Sequence, residues 1–134
     1  MSYDQIWTAL DARAALFTAG GDIVSEGDYY DPVEGRPYVL TKLAAYERSP
    51  AGVGPDCVIV ETGSYMVSLR RPAEEGRGAA SELADQVVAL FPRSLALVTA
   101  SGQQISLVSA TAMPAIPAGA WLTVPVMIRW FTSL

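Results

Sequence analysis

The sequence predicts an α+β fold: an antiparallel or mixed β-sheet with two α-helices packed on one face. Three observations predict it. Two segments carry apolar residues at helical spacing, one at the N-terminus and one near residue 85. Several others alternate apolar and polar residues with the period of a strand. The order is helix, strands, helix, strands, which suits a two-layer α+β arrangement.

The first helix starts at a capping box, with Ser2 as N-cap and Gln5 reaching back to it. Asp4 sits in the first turn, where the helix dipole favours an acid. Ile6, Leu10, Ala14 and Phe17 form one face with Trp7 beside them, and Gly20 and Gly21 end the helix or the turn after it.

Residues 22–37 read as a loop rich in acids, broken by Pro32 and Pro37, with Ile23 and Val24 able to form a short strand. Tyr29 and Tyr30 are aromatic anchors within it. A strand follows from Tyr38 to Tyr46, then a Gly- and Pro-rich loop from Ser49 to Pro55. Cys57 to Thr62 continues a strand. Tyr65 to Arg71 alternates, with Tyr65, Val67 and Leu69 on one side and Met66, Ser68 and Arg70 on the other. Gly63 and Ser64 are read as a bulge or kink between the two runs.

Residues 73–78 read as a charged, flexible loop. The second helix runs from about Ala79 to Phe91, its apolar face made by Ala80, Leu83, Ala84, Val87, Val88 and Phe91, and Pro92 stops it. Two strands finish the chain. The first is Gln104 to Ser109. The second, Trp121 to Phe131, sets Leu122, Val124, Val126, Ile128 and Trp130 on one face and Trp121, Thr123, Met127, Arg129 and Phe131 on the other. Large groups on both faces suggest a strand buried on both sides, and Pro125 suggests an edge or a bulge.

Length and composition bound the function. At 134 residues with 51% apolar content, the chain forms one domain over 1–134. A domain of this size buries roughly 65–70% of its unfolded surface. A mean hydropathy of +0.26 points to a generous core or to apolar surface reserved for partners. Cys57 is the only cysteine, so no internal disulfide forms. No basic leader and no apolar run of membrane-spanning length is present, so the chain is expected to be made and folded in cytoplasm.

The net charge of −5 disfavours a protein that grips phosphate backbones. Residues 1–67 hold ten acids and four bases, and residues 68–134 hold four acids and five bases. Such asymmetry suits directional stacking on partners, and equally suits loops that are acidic for solubility. There is no histidine, so Ser-His-Asp, Cys-His and His-ligated zinc chemistry is excluded. Glu61 and Asp85 lie on different elements and read as solvated surface, so no catalytic carboxylate pair is assigned. No cofactor or metal site is assigned either. Asp22, Asp28 and Asp31 lack the spacing and closing Glu of a calcium loop, and Gly76 to Gly78 lacks the lysine of a phosphate loop. The chain is read as not an enzyme.

Two groups stand out as candidate contact residues. Arg70, Arg71, Arg77, Trp121 and Trp130 are candidates for a subunit interface, by charge and by aromatic bulk. Asp22, Glu26, Asp28, Asp31 and Glu34 form a candidate pore or partner loop, whose charge would repel DNA and let it slide past.

Three stretches carry a family resemblance. The first is the N-terminal amphipathic helix followed by the strand from Arg36 to Leu40 (RPYVL). The second is Gly63 to Pro72 (GSYMVSLRRP) followed by Glu75 to Pro92, a strand, a small loop and a helix ending in Phe-Pro. The third is Gly119 to Trp130 (GAWLTVPVMIRW), a closing strand with its Trp, its Val-Pro-Val and its final Trp. In order and spacing they resemble the phage tail-terminator-like proteins, relatives in architecture of the lambda-type tail terminator. The resemblance implies a virion protein forming a ring, a hexamer, at the head-proximal end of a tail. The ring would stop tube polymerisation and offer a docking surface. The implied partners are copies of itself, the major tail tube protein and a head–neck connector protein, with DNA passing through the lumen without specific binding and no membrane involved. The competing readings are another head–tail connector or minor tail protein, and, in a different class, a host-directed binding module.

Overall fold

The computed structural model describes residues 2–27, 30–31, 36–50 and 52–133, with only the backbone of Ser2. The order is α1 (Ser2–Ala14), β1 (Asp22–Ser25), β2 (Tyr38–Pro50), β3 (Ile59–Pro72), a short 3-10 turn (Ala73–Glu75), α2 (Gly76–Leu90), β4 (Ala96–Val98), β5 (Gln104–Ala112), β6 (Ile116–Ala118) and β7 (Trp121–Ser133). Six strands follow the sheet order β1-β2-β3-β7-β5-β4, and β6 pairs with β7 beside β5. The β1–β2 pair is parallel and the others are antiparallel, so the sheet is mixed.

The α1 face predicted by spacing is the buried one, since Ile6, Leu10, Ala14 and Phe17 are all in the core. The helix closes at Ala14, and Phe17 follows in a turn whose N–H donates to the Ala14 carbonyl. Ser2 is already helical and so is not the N-cap, and the Gln5 amide oxygen accepts from the Ser101 hydroxyl at 2.6 Å. In the last turn, Arg13 Nε donates to the Leu90 carbonyl at 2.6 Å, tying α1 to the C-terminal end of α2. That is the end where unpaired carbonyls favour a cation.

α2 presents Ala80, Ala84 and Val87 to the core, with Phe91 just past its end. It begins three residues earlier than periodicity predicts. Residues 73–78, read as a loop, form the 3-10 turn and the first turn of α2, the step between them made by Gly76 at φ +78°. Arg71 and Glu75 hold this corner with a 2.8 Å ion pair.

β3 and β7 are the central strands and carry the alternation read from the sequence. Tyr65, Val67 and Leu69 stand opposite Ile128, Val126 and Val124, all buried on one face. Burying each such side chain contributes about 1.5–3 kcal/mol. α1 touches both β2 and β4, which stand four places apart in the sheet. A flat sheet would hold them about 19 Å apart, while a helix with its side chains is about 10–12 Å across. The sheet therefore curls around α1.

Several strand readings are corrected. Residues 59–72 are one unbroken strand, and the bulge lies on its partner, between Leu43 and Ala45 of β2. Gly63 shows why: a Cβ there would lie 2.1 Å from the Ala45 carbonyl oxygen and 2.7 Å from Trp130 Cζ2, so only glycine lets the bulge and the indole close on β3. Pro125 lies in the central strand β7, not on an edge. Its carbonyl accepts from the Met113 N–H, so its nitrogen faces the same side, in the gap where β5 hands over to β6. The bond its nitrogen cannot donate falls opposite Met113, outside the paired residues of β5 and β6. β7 is not buried on both sides in the single chain, since Arg129 and Phe131 are exposed on its second face.

Candidate assembly surface

The face of the sheet opposite Tyr65 is built from alternate residues of β2, β3, β7 and β5. Its rows follow the strand register: Tyr38–Arg70–Thr123 at one end, Lys42–Met66–Met127–Thr111 in the middle, and Glu47–Thr62–Phe131–Ser106 at the other.

At the first end an aromatic cluster gathers around Tyr38. Trp121 meets it edge-on at 5.8 Å between ring centroids, Tyr30 lies tilted at 5.0 Å, and the Arg70 guanidinium stands 5.7 Å from its centroid. A cation over an aromatic face at this range is attracted by the ring quadrupole. The structure thus brings together two of the candidate contact residues, Arg70 and Trp121. It separates the others. Arg71 leaves β3 on the opposite side and is paired with Glu75. Arg77 is exposed on the first turn of α2. Trp130 is 1% exposed and belongs to the core, tilted against Tyr46 at 6.1 Å. Its alternation was read correctly, and its bulk is spent inside the chain.

At the second end the face opens into a depression of about 600 Å³. Phe131 and Val108, each 42% exposed, supply an apolar floor, and Glu47 and Arg129 stand on its rim with Thr62 and Ser64. An apolar centre with a polar rim of both signs is the anatomy of a protein contact.

The acidic group divides differently from the reading of a single loop. Asp22 is on strand β1, accepts from the Tyr30 hydroxyl at 3.3 Å and lies 3.7 Å from Arg36. Glu26 follows β1 in a turn and approaches Lys42 at 4.0 Å. Asp31 is exposed. Asp28 and Glu34, with Tyr29, lie outside the described residues.

Two carboxylates are buried or half-buried inside the fold, and the sequence did not point to either. Asp11 on α1 accepts from Thr41 Oγ1 at 2.8 Å, from Ser25 Oγ at 2.5 Å and from the Tyr65 hydroxyl. Burial, followed by the Asp11 charge, pushes the Tyr65 phenol well above its ordinary range. Glu61, read as solvated surface, is fully buried. It accepts from the Tyr46 hydroxyl and from Gln103 Nε2 at 3.0 Å, and the same Gln103 nitrogen reaches Thr132 Oγ1 at 3.2 Å. Hydrogen bonds of this kind make a buried carboxylate tolerable. Both groups are held by hydroxyl and amide donors from other elements, and Glu61 has no contact with Asp85. Among the described residues, no group of three or more carboxylate or thiol side chains is placed to hold a metal ion, and no helix is long and apolar enough to cross a membrane.

Comparison with known proteins adds three findings. A family model described as "Phage tail terminator protein" matches residues 5–130. No curated protein matches the chain. Among solved structures, one shares the fold at TM-score 0.74 and 20% identity, covering 98% of this chain and 96% of its own. A chain from the virion of a native gene transfer agent particle shares it at TM-score 0.56 and 18% identity, covering 98% of this chain and 93% of its own.

Proposed function

The chain belongs to the phage tail terminator protein family, and on that premise we propose that it closes the head-proximal end of a tail tube as a hexameric ring, stopping tube polymerisation and docking the head–neck connector. As a family member it is a structural protein of the phage tail. The observation that carries the finer reading is the reach of the family match. It runs from Gln5 in α1 to Trp130 in β7 and so spans both helices and every strand of the sheet.

Residues 1–134 act here as one domain with both helices on the Tyr65 side of the sheet. Tyr65 supports that arrangement, since its hydroxyl meets Asp11 of α1 and its ring stands 6.1 Å from Phe91 at the end of α2. The other side is then free for neighbours. The Tyr38 cluster with Arg70 and Trp121, and the depression under Phe131, supply two separate contact zones on it. A ring between tube and neck needs two unlike contact surfaces, and these zones differ in chemistry: one aromatic and cationic, the other apolar with mixed charge on its rim. The partners are copies of the chain, the major tail tube protein and the head–neck connector protein. The acids Asp22, Glu26 and Asp31 keep DNA moving through the lumen without specific binding. The occurrence of this fold in a gene transfer agent virion is in keeping with a place in the particle, after assembly in the host cytoplasm.

Deletion of the gene tests the reading. Particles made without the protein should carry overlong tails of uncontrolled length, seen by electron microscopy, and supplying the protein in trans should restore a single length. Tails of normal length in its absence would refute the function.

A further inference from the structure

Resting on the ring reading, we infer that the outer edge of β5, continued by β6, is the seam through which one copy of the chain takes a strand of the next. Three observations meet there. First, the backbone is open. β4 pairs β5 only across Gln104–Ser106, and among the described residues nothing pairs the outer side of β5 beyond that point. Such an edge is a template for a further strand.

Second, the side chains are apolar and uncovered. Val108 on β5, Met113 after it and Ile116 on β6 are 42%, 41% and 56% exposed. Thr111 and Ala112 between them are exposed as well.

Third, the edge has no charge. The thirty-five residues from Ser94 to Ile128 contain no Asp, Glu, Lys or Arg, the longest such run in the chain. Edge strands are commonly guarded by charged side chains, above all lysine, and here that guard is missing. This identifies the occupant. Each copy carries a net charge of −5, so two copies repel over most of their surfaces. They approach without that penalty where neither brings charge, and β5–β6 is that place. A basic partner would instead find its complement in the acids near β1.

The same edge sets its own register. The ladder between β5 and β7 shifts at Val108, and Pro114 and Pro117 follow the strand. Bulges and prolines both interrupt pairing. Only Ser109–Ala112 remain as a regular window, so the added strand is short and cannot slide far.

The experiment is self-association of the full chain by size-exclusion with light scattering, over a concentration series, for the wild type, Val108→Lys/Ile116→Lys and Val53→Lys. Val53 is fully exposed near the β2–β3 turn, far from the seam in sequence, and serves as the control. Both replaced seam positions are exposed, so at concentrations where the wild type is monomeric the melting temperatures should match. The wild type and V53K should assemble to multiples of 14.2 kDa. The double variant should associate roughly tenfold more weakly or worse, as like charges set into an interface do. In the assembled wild type, amide exchange over residues 109–112 should slow, and in the double variant it should not. Wild-type-like assembly of the folded double variant, unprotected 109–112 amides in the assembled wild type, or a wild type that stays at 14.2 kDa throughout would each overturn the seam. If the double variant restores tail length in the deletion strain, the seam is wrong and the terminator reading stands. If deletion leaves tails normal, that reading falls whatever the seam does.

Discussion

Replacing Asp11 with alanine removes the acceptor shared by Ser25, Thr41 and Tyr65. Ser25 is half-buried and can turn to water. Thr41 and Tyr65 are fully buried and cannot, but Thr41 keeps its bond to Ser25 Oγ at 3.4 Å, so Tyr65 is the hydroxyl left without its acceptor. A buried hydroxyl left without its partner costs about 1–3 kcal/mol. For a chain of this length, unfolding entropy makes each kcal/mol worth roughly 3–4 °C in Tm, so the variant should melt roughly 3–12 °C lower. The sharper test is a double-mutant cycle with Tyr65→Phe. On its own that change removes one hydrogen bond and costs about 1 kcal/mol. Combined with Asp11→Ala it also removes the orphaned hydroxyl. The double variant should therefore be more stable than the sum of the singles by about 1–2 kcal/mol. Urea denaturation with all four proteins reads this directly. Additivity within about 0.5 kcal/mol would mean that Asp11 and Tyr65 are not coupled, and the account of α1 docking would be wrong.

Gly63→Ala should be far costlier than an ordinary glycine substitution in a strand. The new methyl meets the Ala45 carbonyl and the Trp130 ring, so backbone or indole must move. A loss of about 1–3 kcal/mol or more is expected, with changed Trp fluorescence, and an unchanged urea midpoint would refute the close approach. The Tyr65 phenol gives a pH signature. Its pKa is raised in the folded state, so its contribution is intact below the ordinary tyrosine value near 10 and is lost as pH rises above it. Above about pH 10, stability should fall more steeply than in Tyr65→Phe, by up to about 1.4 kcal/mol per pH unit. Equal slopes in the two proteins would refute it.

Local patterns were legible, and contacts between distant parts of the chain were not. The buried faces of α1, α2, β3 and β7 were read correctly because periodicity alone fixes which residues share a side. β4 and β6 were missed because three residues are too few to display a period. The bulge was assigned to Gly63 because glycine usually marks the irregular strand. Here it marks the strand that makes room, and the irregularity belongs to Ala44, the unpaired residue of β2 across the ladder. Glu61 was read as surface because an isolated glutamate usually is. Its donors Tyr46 and Gln103 lie 15 and 42 positions away, and only the folded sheet brings them together. The candidate contact residues divide on the same line. Arg70 and Trp121 share the Tyr38 cluster because β3 and β7 are adjacent and in register. Arg71, one residue on, points to the other side and is held by Glu75.

The two polar networks also bear on how such a chain can bind neighbours. Asp11 fastens α1 to β1, β2 and β3, while Gln5 fastens the same helix to Ser101 in the turn between β4 and β5. Glu61 joins β2, β3 and, through Gln103 and Thr132, the end of β7. The curled sheet is thus tied at both sides by hydrogen bonds, and the donors Thr41 and Tyr65 among them are fully buried. A surface that must meet a partner loses affinity for every loop and side chain that has to be ordered on contact. Here the strands behind the outer face are ordered by the chain's own interior before any partner arrives. The cost of burying two carboxylates is then offset in assembly, where the Tyr38 cluster, the Phe131 depression and the β5 edge hold fixed positions relative to one another. If so, Asp11→Ala should weaken assembly as well as folding, at temperatures well below its own melting point, because the sheet it leaves behind is folded but no longer held to one curvature. Light scattering of that variant at low temperature checks this, and assembly equal to wild type would show that the curvature is kept by apolar packing alone.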